Sequence, residues 1–472
     1  METAVRPEPS VQSWPFDADL LRRYDRPGPR YTSYPTAPQF NGGFGEDDFA
    51  EIARDSNVGA FSRLLSVYVH VPFCRSPCFY CGCNRVITRD ESRGRTYLRA
   101  LQLEIARVAP LFDASREIIQ LHLGGGTPNF LSPSQLMEVV ALLRSHFRFS
   151  ASAQRDFSIE LDPRFIAASD VALLAMIGFN RISLGVQDFD GDVQRAINRE
   201  QSVSETREII DAARASGMRS VNVDLIYGLP RQTPEAFART LDTVIDMHPD
   251  RLAVYGYAHL PHLFKAQKHI HAHDLPTPEQ KLALLGLAVE KLSAAGYRYI
   301  GMDHFALPDD DLAVAQQRGG LRRNFMGYTT HAQTDLIGLG PSAISQIGDS
   351  FSQNHREVGL WEDALAAGVL PVARGMRLDN DDVLRADVIQ QLMCQGEVEF
   401  ETIERAHAIV FRDYFAGAID ALAPLMADGL VQVLADRIVI PPRGRALVRL
   451  VAMCFDRYLD KTPATVRYSR TI

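Results

Sequence analysis

An alternation constrains the fold of this chain more than any other feature. Short β-branched apolar runs recur, separated by amphipathic segments of helical length. The runs are VYVHV around Val69, IIQLHL ending at Leu123, FSIEL around Ile159, RISLGV around Leu184, VNVDLIYG around Val223, RLAVYGYA around Tyr255 and RYIGMDHF around Ile300. Between them lie helix candidates such as TYLRALQLEIARVAPLF, PSQLMEVVALLRSHF, VSETREIIDAARASG and PEAFARTLDTVIDM. PEQKLALLGLAVEKLSAAG follows, an amphipathic helix closed by Gly296. Strand–helix alternation of this kind requires parallel strands joined by right-handed crossovers. The runs carry no dinucleotide fingerprint. They predict an α/β fold with a full or partial (β/α) TIM-like barrel rather than a doubly wound sheet.

That barrel is expected over residues 65–373. Residues 1–64 read as an N-terminal arm with local turns, dense in RPGPRYTSYPTAP, where prolines break helix and favour extended backbone. Over 374–472 the texture becomes mostly helical and includes LVQVLADRIVIPPRG, a hairpin pattern about Ala435 and Asp436. Helices plus a hairpin predict a winged-helix-like C-terminal domain. A wing invites a DNA-binding reading, but the formal charge is −8, so no nucleic acid is expected and a structural or lid role is preferred. With no run of about 18 apolar residues, no membrane insertion is expected. The N-terminal stretch has no apolar signal core, which points to a cytoplasmic protein, and a monomer is the expected state.

The chemistry concentrates in the cysteines. There are six, and four lie between Cys74 and Cys83. Cys394 and Cys454 sit in apolar helical contexts and read as small buried hydrophobes. The loop YVHVPFC…CFYCGCN follows a predicted strand at once and sets Cys74, Cys78 and Cys81 at x3 and x2 spacing. Three thiolates so spaced can converge on one inorganic centre, and cysteine thiolates are the usual holders of iron–sulfur clusters. Three ligands on four irons leave one iron open to a small chelator. The amino and carboxylate groups of S-adenosylmethionine (SAM) suit that role. A structural zinc site wants four ligands. Cys83 stands one residue beyond Cys81, an awkward geometry for such a site. A disulfide is disfavoured in the cytoplasm.

The context is more specific than the cysteines. GPRYTSYPTA, YVHVPFC, CFYCGCN, LHLGGGTP, IELDPR, ISLGVQDF, INREQ, NVDLIYGLP, YAHLP, GMDHFA, NFMGYTT and GLGPSAIS together resemble the oxygen-independent coproporphyrinogen III oxidases of the radical SAM superfamily. The resemblance runs from about Leu20 to Ile472. Related haem chaperones share the three-cysteine loop but typically lack a fourth cysteine and the YTSYPTA arm, both present here.

Several polar residues stand where barrel chemistry is expected, at strand ends. Gly125, Gly126 and Thr127 end the second run, where glycines let the backbone approach a ligand, although a plain tight turn would use them too. Glu160 ends the third run and Gln187 the fourth. Arg199, in INREQ, is able to grip a carboxylate, and Asp224, among apolar neighbours, needs a partner: a ribose, an ammonium or a protein cation.

The resemblance implies a 4Fe-4S cluster on Cys74, Cys78 and Cys81, with Cys83 not a ligand, and two SAM molecules. Tyr68, Gly125, Glu160 and Ile344 would serve the cluster-bound SAM. Tyr80, Gly126, Thr127, Gln187, Arg199, Asp224 and Ala258 would serve the second. Tyr80 stands where the family usually has phenylalanine. The implied reaction uses a low-potential electron donor and a 5′-deoxyadenosyl radical to turn two propionates of coproporphyrinogen III into vinyl groups, giving protoporphyrinogen IX. A tetracarboxylate substrate needs cations; Arg30, Arg322 and Arg323 are the candidates, and His304 is a possible polar pocket residue.

Overall fold

The computed structural model describes residues 17–58, 63–331, 333–459, 468 and 470. The parts of the expected arm at 1–16 and 59–62, and the other residues of the tail beyond 459, lie outside the described residues.

Six parallel strands run in chain order across the sheet: β1 (Leu64–Val71), β2 (Glu117–Gly125), β3 (Asp156–Leu161), β4 (Arg181–Gln187), β5 (Ser220–Tyr227) and β6 (Arg251–Gly256). The connections between β1 and β6 carry α1 (Ser92–Val108), α2 (Pro133–His146), α3 (Ala168–Ile177), α4 (Val203–Ala215) and α5 (Pro234–Asp246), and α6 (Pro278–Ala294) follows β6. Capping boxes start three of these helices: Ser132 with Gln135, Ser202 with Glu205 and Thr277 with Gln280.

The expected seventh strand, RYIGMDHF, is a hairpin. Met302 turns the chain at φ 52°, so β7 (Arg298–Gly301) pairs antiparallel with β8 (His304–Ala306), which lies antiparallel to β6. On the other side of β1 comes a parallel strand that the run pattern did not mark, β9 (Thr334–Leu339). An antiparallel meander completes the sheet: β10 (Ile344–Gln346), β11 (Ser350–Asn354) and β12 (Val372–Arg377). The sheet runs from β7 to β12 without closing, so of the two expected forms the partial barrel is the one observed.

Alternation along the strands sorts the side chains. Leu65, Val67, Val69 and Val71 of β1, with Leu121 and Leu123 of β2, are buried in one apolar core with the crossover helices. The alternate residues face a lumen, and they are polar: Gln120, His122, Ser158, Glu160, Asn222 and Asp224 all line it. A filled barrel interior is usually built from branched apolar side chains. A polar lumen inside an apolar outer layer is a space for a polar ligand.

The C-terminal part begins with α7 (Asn380–Gln395), started by Asp379 and Asp382 and stopped at Gly396, φ 72°. A three-stranded antiparallel sheet follows, Glu397–Glu399, Arg437–Val439 and Gln432–Val433, whose last two strands are the expected hairpin. Its core includes Leu392, Phe411, Phe415 and Phe455, and also Leu20, Leu21, Tyr31 and Tyr34 of the arm. Among the described residues no helix is long and apolar enough to cross a membrane.

Candidate cluster and cofactor site

Beyond β1, Pro72 has no N–H for a ladder. The chain makes a two-residue strand, Phe73–Cys74, paired with Val86–Ile87, which pinches the cysteine loop at its base. Arg85 lies across the loop and donates to the carbonyls of Cys78, Cys81 and Cys83 at 3.2, 3.3 and 3.4 Å. Asn198 Nδ2 donates to Pro77 O at 2.7 Å, and Phe79 N to Ile197 O at 2.9 Å. The loop is therefore fixed by the protein itself.

Each of the three spaced sulfurs faces a donor. Cys74 Sγ accepts from Thr127 Oγ1 at 3.2 Å, Cys78 Sγ from Arg199 Nη1 at 3.5 Å, and Cys81 Sγ from the N–H of Cys83 at 3.4 Å. Donors aimed at sulfur stabilise thiolate charge and tune an iron–sulfur centre. Burial pushes the Cys74 thiol up to about 11, while a hydrogen bond from the Cys83 thiol, helped by Arg85 and by the Cys83 N–H, brings that of Cys81 down to about 6. Among the described residues no three His, Cys, Asp or Glu side chains gather tightly enough for a single metal ion. A cluster asks for a different arrangement, one thiolate on each of several irons, and the donor set suits that.

The glycines at the end of β2 are required by protein neighbours. A Cβ on Gly124 would lie 3.0 Å from the Glu160 carboxylate, one on Gly125 2.6 Å from the His70 ring, and one on Gly126 2.8 Å from Phe73 O. Gly125 also has φ 113°. Their lack of side chains lets the β2 turn pack directly on the base of the cysteine loop. Gly125 N donates to Glu160 at 3.2 Å and His122 contacts the same carboxylate at 3.3 Å. Burial raises the Glu160 carboxyl, but His122 and Gly125 outweigh it and hold it below the ordinary value. His122, missed in the sequence, also bonds Ser158 at 2.7 Å and stacks on Tyr68 at 5.8 Å. Its signal was its inward position in LHLG, one strand over from Tyr68.

Arg199 and Asp224 do not pair. Arg199 binds Asp162 at 3.0 Å and Gly185 O at 2.5 Å besides Cys78. Asp162, also gripped by Arg164 at 2.7 Å, went unmarked in IELDPR. Asp224 accepts from Asn222 Nδ2 at 2.8 Å and Ser183 Oγ at 3.1 Å, with no cation in ion-pair contact among the described residues. Burial, with Glu160 adding repulsion, raises its carboxyl to about 7.

Gln187 ends β4 in a left-handed conformation, φ 72°. The carbonyls of Tyr80 and Ala258 share Gln267 Nε2, at 2.9 and 3.2 Å. Ile344 opens β10, and its carbonyl lies 2.5 Å from where a Cβ of Gly338 would stand, so that glycine lets β9 and β10 close beside Tyr68. Of the substrate-cation candidates, Arg30 is committed to Asp303, and Arg322 donates to the carbonyls of Gly319 and Leu321. Arg323 is buried behind Tyr328, and His304 lines the lumen.

The partial barrel, the donor-lined cysteine loop at its strand ends and the polar lumen define a radical SAM enzyme. The comparisons agree: the model of the radical SAM superfamily matches residues 68–244, and that of the HemN C-terminal domain matches 378–447. The chain is 53% identical to the oxygen-independent coproporphyrinogen III oxidase of Pseudomonas aeruginosa, over 97% of this chain and 99% of that one. It is 47% identical to that of Escherichia coli K12, over 98% and 100%. The solved structure of the E. coli enzyme, described as a radical SAM enzyme, superposes with a TM-score of 0.90 at 46% identity, covering 95% of this chain and all of that one. The chain belongs to the oxygen-independent coproporphyrinogen III oxidase family.

Proposed function

We propose that this protein oxidatively decarboxylates two propionates of coproporphyrinogen III to vinyl groups, yielding protoporphyrinogen IX without oxygen. The observation that carries this reading is the cysteine loop, each of its three spaced sulfurs met by a donor, at one end of a polar lumen in a chain of this family. When bound, a 4Fe-4S cluster and SAM would supply the radical chemistry for removing a propionate β-hydrogen, and a separate electron acceptor would take the electron released with carbon dioxide as the vinyl group forms.

The chain's part is to hold and aim. Cys74, Cys78 and Cys81 hold the cluster, and Cys83 serves Cys81 through its thiol and its N–H rather than as a ligand. Tyr68, Gly125, Glu160 and Ile344 take the SAM at the cluster; Glu160, kept ionised by His122 and Gly125, suits an ammonium. Tyr80, Gly126, Thr127, Gln187, Arg199, Asp224 and Ala258 take a second SAM. In that group Thr127 and Arg199 already touch cysteine sulfurs, so they tie the second place to the cluster loop. Asp224, with no cation in ion-pair contact among the described residues, is open to a ribose or an ammonium. A low-potential electron donor, a cytoplasmic setting and a monomeric state complete the reading.

Anaerobic incubation of cluster-loaded protein with SAM, a reductant and coproporphyrinogen III tests it. Protoporphyrinogen IX should accumulate with two methionines and two 5′-deoxyadenosines per product. SAM cleavage without vinyl formation would overturn the substrate assignment, and one SAM per product the two-SAM assignment.

A further inference from the structure

We propose that the lumen ends in a carboxylate subsite built on Arg323, which receives a non-reacting propionate of the substrate. The proposal rests on the oxidase reading above and assigns one contact within it.

The reason is an unmatched charge. Arg116, Arg181, Arg199, Arg323 and Arg449 are the arginines buried among the described residues. Arg116 pairs with Asp335, Arg181 with Asp311 and Arg199 with Asp162, while Arg449 donates to the carbonyls of Pro29 and Gly28. Arg323 is 5% exposed, yet its guanidinium meets no carboxylate and no carbonyl among the described residues: its side-chain hydrogen bond is to the neutral hydroxyl of Tyr328, and its Nε and Nη1 are shut from solvent without an acceptor. A buried cation left this way is costly, and a chain keeps one where something else completes it. A guanidinium fork is best completed by a carboxylate, which accepts two parallel hydrogen bonds.

The position is built rather than accidental. Arg323 sits on the short hairpin Arg322–Asn324 and Gly327–Thr329, directly opposite Tyr328. Its N–H donates to Gln390 Oε1 at 3.1 Å, and Gln390 Nε2 donates back to its carbonyl, so its backbone is clamped to α7. The guanidinium lies 4.9 Å from the centre of the Tyr328 ring. Tyr328 meets His304 edge-on at 5.2 Å, and His304 meets Tyr255 at 5.9 Å; all three rings line the lumen. His304 is a second orphan, because its Nδ1 is also buried without a partner. Burial brings its imidazole down to about 3, so the ring is neutral and has one N–H to give.

The lumen is thus graded. Glu160 and Asp224, proposed for SAM, are acidic, while the opposite wall is the neutral His304 and Tyr328, with the Arg323 guanidinium directly behind the Tyr328 ring. A carboxylate on a two-carbon arm suits that wall: its methylenes pack on the rings and its oxygens take the orphan donors. Anchoring one arm there orients the macrocycle relative to the reacting arm.

The test uses the full-length, cluster-loaded protein and two fluorescent probes, coproporphyrin III and its tetramethyl ester. Arg323→Met should raise Kd for the tetra-acid about tenfold or more while leaving the ester unchanged, because only the acid can complete the guanidinium. Arg323→Lys should recover part of the loss. The ligand-free melting temperature of Arg323→Met should not fall, because no protein ion pair is broken. Unchanged affinity for the acid, equal losses for acid and ester, or a clearly lower melting temperature would each overturn the proposal. A wild-type protein that neither binds coproporphyrin III nor yields protoporphyrinogen would instead defeat the oxidase reading, and this subsite with it.

Discussion

At the scale of single residues, one contact separates Cys83 from its neighbours. The other three loop sulfurs each receive a donor, and the N–H of Cys83 is one of those donors. Alanine at Cys74, Cys78 or Cys81 should therefore abolish the cluster, whereas Cys83→Ala, which keeps that N–H, should retain about four irons per chain. Iron analysis after anaerobic reconstitution decides it; loss of iron in Cys83→Ala would make Cys83 a ligand. Asp224 gives a second test. Its partners are the neutral Asn222 and Ser183, and an amide satisfies both, since the serine hydroxyl can accept as well as donate. Its carboxyl is raised to about 7, so its stabilising contribution is whole below the ordinary aspartate range and is lost as pH rises through about 7. Asp224→Asn should thus gain stability relative to wild type between about pH 5 and about pH 8, read as a widening gap in melting temperature without SAM. Product formation should fall, by about 100-fold if the second SAM is misplaced by an ångström. A large loss of stability with normal yield would make Asp224 structural.

At the scale of elements, the strand–turn–strand contact at the cysteine loop is a close backbone joint. Gly126 N donates to Val71 O and Thr127 N to Phe73 O, both at 2.8 Å, and a Cβ on Gly126 would press on that same Phe73 carbonyl. Backbone cannot yield as a side-chain tip does, so Gly126→Ala should push Phe73–Cys74 off its seat and cut iron content to below about half, with the core little changed. Normal iron in that variant would show that the loop tolerates displacement. This joint also shows what the sequence discloses. β1 to β6 were legible because each buries a β-branched face under a helix, a pattern local to its own residues. The break in RYIGMDHF was not, because Met302 turns the chain against its own apolar pattern, and β9 was hidden because Gly338 interrupts a short run. The cysteines and glycines were legible as motifs. His122 and Asp162 were not, since a lone histidine or aspartate gains its meaning from partners on other strands.

At the scale of the whole molecule, the arm belongs energetically to the far end of the chain. Asp17 caps the helix Ala18–Tyr24 by accepting from Leu20 N at 3.0 Å, and also pairs with Arg443 at 2.7 Å. Arg23 pairs with Asp428 at 2.9 Å, and Tyr31 donates to Asp456 at 2.9 Å. Between these ties Leu20 and Leu21, 4% and 3% exposed, enter the C-terminal core. Arg30 then reaches the β7–β8 turn at Asp303 and lies 5.9 Å from the Tyr255 ring, so the same arm fastens the C-terminal domain to the edge of the lumen. The exposed ion pairs contribute little, being screened by solvent; the buried side chains Leu20, Leu21, Tyr31 and Tyr34 are the main attachment. Truncating a buried leucine to alanine costs about 2–5 kcal/mol, so Leu20→Ala with Leu21→Ala removes a large part of an ordinary domain's stability. The barrel core contains neither residue. In hydrogen exchange, amides of Asn380–Gln395 and Val448–Met453 should therefore speed up in the double variant while those of β2 to β5 stay protected, and the melting temperature should drop. Equal acceleration in the parallel strands would mean that the two cores unfold as one and that the arm stabilises the whole molecule rather than one end of it.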